Sequence, residues 1–310
     1  MSQPLKGNNV RALIWDSTLS KFRCVAKSTS CSVTHNVNTD DSSTKDVVGM
    51  AAMPTATSQG WQMSVDTLEV LDAAAYLTAI KNMEPFTLIW DEVSTTDNQT
   101  ALGASFARRG EAYLNDLTLQ FNDREVASKA IQFAGTGPLE KLTGTPVVDV
   151  YEPDNTFTRG QFVRIFFGNT ATSEANAILA ACKQLSMHVS ISLEDATTKD
   201  TEGTWIVQAP TGLSYDLSTS ALVRSGDRIT SAVPGKTYAD LEDLKEAMQP
   251  IHFEIANVGG ANNRTKQSVI VSGDAIITNL QNNNPNRQNS DWSMTLNGYG
   301  NYTVGSPSES

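Results

Sequence analysis

The chain says nearly the same thing twice, and no other feature limits its fold as strongly. "RRGEAYLNDLT" (Arg108–Thr118) has a counterpart in "VSGDAIITNLQ" (Val271–Gln281). One interval carries Gly110, Ala112 and Leu117 onto Gly273, Ala275 and Leu280. The same interval carries Gly135 and Gly137 of "FAGTG" onto Gly298 and Gly300 of "LNGYG". Earlier segments follow in the same order, with small changes of interval where loops differ in length. "NVRALIW" pairs with "FVRIFFG", "CSVTHNV" with "MHVSISL", and "GWQMSVDTLEV" with "GLSYDLSTSAL". "AIKNMEPFTL" pairs with "LKEAMQPIHF", so that Met83 and Pro85 fall on Met248 and Pro250. Matches in one order through both halves point to a duplicated unit.

Each unit reads mainly as strand. "CSVTHNV" alternates Cys31, Val33, His35 and Val37 against Ser32, Thr34 and Asn36, and "DWSMTL" alternates Trp292, Met294 and Leu296 in the same way. The clearest helix is "TYADLEDLKEAM", with Thr237 as N-cap, a stripe of Leu241, Leu244 and Met248, and Pro250 as its stop. "DAAAYLTAIKNM" (Asp72–Met83) is its twin. The expected fold is mainly β: a β-sandwich or β-barrel with one flanking α-helix per unit, in two tandem copies. The units span 1–137 and 159–302, joined by a linker at 138–158 and followed by a tail at 303–310. Within the linker, "PVVDVY" is β-prone enough to lie along a sheet edge.

Charge and composition exclude several functions. A net charge of −11, from 34 acidic and 23 basic side chains, argues against gripping nucleic acid through its phosphates. Three cysteines make no disulfide framework. No charged-then-apolar leader opens the sequence and no apolar run reaches about eighteen residues. The expectation is a soluble protein made in a reducing cytosol, with no membrane insertion.

No metal, cofactor or catalytic site is expected. His35 lies near Cys24 and Cys31, but its match in the second copy is the apolar Ile191, which marks a packing position. Cys182 and His188 fit no zinc spacing. Nucleophile elbows, phosphate loops and calcium loops are absent from the sequence. Trp15, Trp61, Trp90 and Trp292 sit in or beside predicted strands, which leaves Trp205 alone in a loop.

Two long loops stand out, Asp40–Gln59 and Asp195–Pro210. Loops of that length inside a compact unit are usually functional. They carry Val47, Val48, Met50 and Met53 in the first copy and Trp205, Ile206 and Val207 in the second. Exposed apolar groups of this kind mark a contact surface.

The order of elements resembles the tail tube (major tail) proteins of long-tailed bacteriophages. The residues that carry the resemblance are "KGNNVRALIW", "GWQMSVDTLEV" leading into an Ala/Leu helix, and "GEAYLNDLTL" with "AIQFAGTG". The second copy repeats them as "RGQFVRIFFG", "GLSYDLSTSAL", "SGDAIITNLQ" and "WSMTLNGYG". The resemblance implies a structural virion protein, not an enzyme, whose rings stack into a hollow tube that delivers phage DNA. It implies as partners other copies of itself, tape-measure and tail-completion proteins, and DNA that passes through without tight binding. The usual member carries one unit and forms six-membered rings. Two units per chain imply a homotrimeric, pseudo-hexameric ring in the virion tail, made in the host bacterial cytoplasm. The family's corresponding loop reaches toward the next ring, which gives the seven loop residues an inter-ring role. The alternative is a tandem β-sandwich that binds carbohydrate or a surface, as part of a virion or secreted particle. Loop aromatics shared by both copies would favour it, and Trp205 has no match in the first copy.

Overall fold

In a computed structural model of the chain, the described residues are 7–16, 20–25, 27–42, 53–68, 73–94, 100–144, 146, 148–149, 158–168, 177–179, 182–201, 203–222, 235–236, 238–260, 265–286 and 288–305. The first half runs β1 (Val10–Asp16), β2 (Lys21–Cys24), β3 (Ser28–Asp41), β4 (Pro54–Thr67), α1 (Ala73–Asn82), β5 (Pro85–Glu92), β6 (Arg108–Asn122), β7 (Ser128–Lys141) and β8 (Val148–Asp149). The second half runs β9 (Val163–Phe167), β10 (Ala177–Leu179), β11 (Cys182–Asp195), β12 (Gln208–Leu222), β13 (Gly235–Lys236), α2 (Tyr238–Glu246), β14 (Ile251–Asn257), β15 (Ser268–Asn283) and β16 (Asp291–Val304). The fold is mainly β with one helix in each half. All sixteen strands belong to one sheet, which among the described residues does not close into a barrel.

The two halves are wired alike. Strand neighbours run β2-β1-β5-β6-β7-β4-β3 in the first half and β10-β9-β14-β15-β16-β12-β11 in the second. The correspondence extends to single residues. Ala112 pairs with Gly135 as Ala275 pairs with Gly298. Register shifts fall between Leu114 and Asp116 on β6, and between Ile277 and Asn279 on β15. These are bulges at the same step, and each re-aims the strand that follows it.

The repeated glycines have a packing reason. Trp61 of β4 is 2% exposed, and a Cβ on Gly110 or Gly135 would come within 2.5 or 2.3 Å of its indole. Tyr215 of β12 takes the same place in the second half, where a Cβ on Gly298 would lie 2.5 Å from its ring. Each aromatic finds a partner for its polar atom. Trp61 donates through Nε1 to the Gly137 carbonyl at 3.2 Å, and the Tyr215 hydroxyl donates to the Asp274 carbonyl at 2.6 Å. Gly137 and Gly300 both turn the chain at φ +74°, a conformation that costs a glycine nothing.

The match also corrects the sequence register. Met63 faces Phe133 on β7 as Leu217 faces Leu296 on β16. Trp61 therefore corresponds to Tyr215, not Leu213, and Cys31 corresponds to Leu185, not Met187. The sequence alignment is two residues out in these strands. His35 still falls on an apolar position, Val189, yet it is itself exposed on the rim of β3.

The helices differ from expectation at their ends. Residues 72 and 237, the latter the expected N-cap, lie outside the described set. Leu241 is buried, Leu244 half-buried, and Met248 79% exposed. α2 stops at Glu246, and Met248 adopts a left-handed φ of 52°, as Met83 does at 55° after α1. That turn takes Met248 off the helical stripe.

Much of the first expected loop is strand. β3 and β4 pair out to Asp41 and Pro54, and residues 43–52 of that expected loop lie outside the described residues. The expected linker begins as the last residues of β7, and its Val148 and Asp149 pair in parallel with Phe22 and Arg23 at the sheet edge.

Asp91 of β5 is fully buried and accepts N–H groups from Glu92, Gly103 and Ala104 at 2.7–2.9 Å. It fixes the loop that leads to β6, whose pairing places the candidate site.

Candidate functional site: the junction between the halves

The halves meet edge to edge. The first part of β6 pairs with β5 (Pro85↔Tyr113 to Trp90↔Arg108), and its last part pairs with β11 of the second half (Ser190↔Asp116 to Gln184↔Asn122). On the inner face of this seam, Leu117, Leu119 and Phe121 meet Leu185, Met187 and Val189, and none is more than 2% exposed. Burying side chains of this size stabilises by roughly 1.5–3 kcal/mol each as an upper estimate. The seam is therefore part of the core, and one buried cluster runs through both halves.

The outer face carries a charged group. His188 of β11 lies between Asp116 of β6, 2.7 Å from Nε2, and Asp216 of β12, 2.9 Å from Nδ1. Burial on its own would depress the His188 pKa. The hydrogen bonds and negative charges of Asp116 and Asp216 outweigh it and raise the pKa above its ordinary value. Protonated, the ring donates to a carboxylate on each side, tying the two halves together.

Two further contacts close the seam. The Tyr302 hydroxyl of β16 donates to the Leu77 carbonyl of α1 at 2.6 Å, and both residues are fully buried. The segment around Trp205 lies along β4 and β7. Gln59 N–H donates to the Thr204 carbonyl at 2.8 Å, Ile206 N–H to the Gln59 carbonyl at 2.9 Å, and Gly137 N–H to the Ile206 carbonyl at 2.9 Å. The Trp205 ring stacks on His35 with centroids 5.2 Å apart.

Of the seven loop residues singled out by sequence, Val47, Val48 and Met50 lie outside the described residues. Met53 is 51% exposed beside β4. Trp205 and Ile206 are half-buried against the first half of their own chain, and Val207 is held by the Thr197 hydroxyl and the Ala196 N–H. Sequence reasoning missed His188, Asp116 and Asp216. Among the described residues no group of three or more His, Cys, Asp or Glu is arranged to hold a metal ion.

The same edges are open elsewhere. β3 occupies in the first half the place of β11 in the second, and among the described strands it pairs only with β4. β15 occupies the place of β6. Its first part pairs with β14 through Ala275, and beyond that no described strand covers the same side.

No protein-family model matches the chain, and no curated protein does. Solved structures do. The chain is similar to one in the tail of an empty gene transfer agent (GTA) particle, at 12% identity and a TM-score of 0.36, over 47% of this chain and 98% of the other. It is similar to one in the virion of a native gene transfer agent particle, at 14% identity and a TM-score of 0.34, over 47% and 98%. It is also similar to the SPP1 tail tube, at 15% identity and a TM-score of 0.35, over 47% and 77%.

Proposed function

We propose that this chain is a structural virion protein that self-assembles into stacked rings, forming the hollow tail tube through which phage DNA is delivered. The observation that carries the proposal is the edge-to-edge junction between two halves of identical strand order, which leaves one open edge of each kind at the two ends. A heterologous contact repeated by rotation closes a ring or runs on as a filament. With the six units per ring that the resemblance implies, two halves per chain make the closed form a homotrimer with pseudo-hexameric symmetry, each half a tail-tube-like β domain. The sequence resemblance to tail tube proteins supports the same reading.

The acidic balance suits a conduit. A negative or neutral wall repels DNA over about a Debye length of ~8 Å, whereas a basic wall would hold it. Tape-measure and tail-completion proteins are the partners this role requires, and the virion tail is its place. Stacking between rings falls to Val47, Val48, Met50 and Met53, joined by whatever of Trp205, Ile206 and Val207 remains available at the seam. Apolar surface buried there stabilises by roughly 25 cal/mol per Å².

The test is electron microscopy of the purified protein after concentration. Rings of three chains that stack into tubes are expected. A protein that stays monomeric at high concentration, or rings of six chains, would count against the reading. Replacing Val47 and Met50 with Ser should leave rings that no longer elongate.

A further inference from the structure

We infer that the ring contact between neighbouring copies is a β-ladder joining β3 of one chain to the free part of β15 of the next and Asn284 just after it, in the register Asn36↔Asn279, His35↔Leu280, Thr34↔Gln281, Val33↔Asn282, Ser32↔Asn283 and Cys31↔Asn284. This rests on the ring reading above and names its interface.

The in-chain junction supplies the template. β11 pairs antiparallel with β6 from Ser190↔Asp116 to Gln184↔Asn122. Shared pairings map β11 onto β3, since Val33 faces Met63 as Met187 faces Leu217. They map β6 onto β15, since Leu117 faces Ile131 as Leu280 faces Met294. Carrying the junction through both maps gives the ladder stated, with no free choice of register.

The chemistry of the two stretches agrees. Open strand edges are usually guarded by charge or proline because unpaired N–H and C=O groups recruit other strands. Neither 30–37 nor 279–284 contains Asp, Glu, Lys, Arg or Pro, in a chain with 57 such charged side chains. The ladder ends where it should: β15 stops at Asn283, and the residue after Asn284 is Pro285, which has no N–H to give. Across the pairs no like charges face each other, and Ser, Thr, Asn and Gln can hydrogen-bond from strand to strand.

The contact differs from its template in one respect. His188, Asp116 and Asp216 correspond to Thr34, Asn279 and Gln62, so a charged group within the chain becomes a neutral one between chains.

Cysteine pairs test the register in the full chain. Directly opposed residues alternate between two pair geometries, so two double variants are needed, Thr34→Cys with Gln281→Cys and Val33→Cys with Asn282→Cys. At least one should convert most of the protein, on mild oxidation of assembled material, into a covalent series extending past the dimer. None of the four single variants should do so. A version without new thiols uses charge: Thr34→Lys with Gln281→Lys should abolish association, and Thr34→Lys with Gln281→Glu should restore it. Tubes that assemble yet cross-link in neither pair would overturn the ladder and leave the ring reading standing. Cross-linked chains that never close into rings would uphold the ladder and remove the ring reading. Protein that stays monomeric and uncross-linked would overturn both.

Discussion

β6 and β15 bulge at the same step and pair alike with their neighbours, yet their inner faces differ. Past the bulge β6 carries Leu117, Leu119 and Phe121, all buried by the second half, while β15 carries Leu280 and Asn282, with Asn284 just beyond its end, half-buried or exposed. An apolar edge must be covered at all times, and the chain covers it with its own second half. A polar edge can stand in water and still pair. The difference separates a permanent junction from one that can form after synthesis.

The largest effect expected from this comparison is on stability. Phe121→Ala should cost about 3–5 kcal/mol, while Asn284→Ala should stay within about 0.5 kcal/mol. Urea unfolding of each variant measures both, and equal losses would break the distinction between the edges.

Next is the tie between α1 and β16. Tyr302→Phe removes the donor to the Leu77 carbonyl, which keeps its helical bond within α1, and should cost about 0.5–1.5 kcal/mol for the lost buried hydrogen bond. Hydrogen exchange sharpens the test, because α1 should lose protection more than α2 does. α1 buries Ala73, Tyr76, Leu77 and Ile80, whereas α2 buries Leu241 alone.

The smallest effect is the pH response of the charged group. The folded pKa of His188 is raised, so its stabilisation is fully present below the unfolded value of about 6.5. It is lost as pH rises through the higher folded value. His188→Gln should flatten that part of the profile in urea melts between about pH 6 and about pH 8. A variant with the wild-type slope would remove His188 from the account.

The dominant β content and the two helices were legible because they rest on local spacing. Gly110 and Gly135 mark places where a ring lies against the backbone, and their twins repeat the mark. Other features were hidden for physical reasons. Period-2 alternation looks the same after a slip of two, so Trp61 was set opposite Leu213 when the ladder sets it opposite Tyr215. The outer reach of β3 has no buried face, so Asp40 and Asp41 at its end show no apolar alternation and read as loop. His188 meets Asp116 across a seam between halves, and no local pattern announces a partner that distant in sequence. Trp205 read as a free loop aromatic because the ring that covers it, His35, belongs to the other half.

Joining two halves through a permanent junction also restricts how a closed assembly can go wrong. A ring built from separate single units could gain or lose one unit and still close under slight strain. In the proposed ring every whole chain would contribute a pair of units, so rings with an odd number of units would be forbidden by parity. The nearest alternatives to that ring would differ by a full pair, a larger change of curvature at every joint, and its bore diameter would thereby be quantised in coarse steps.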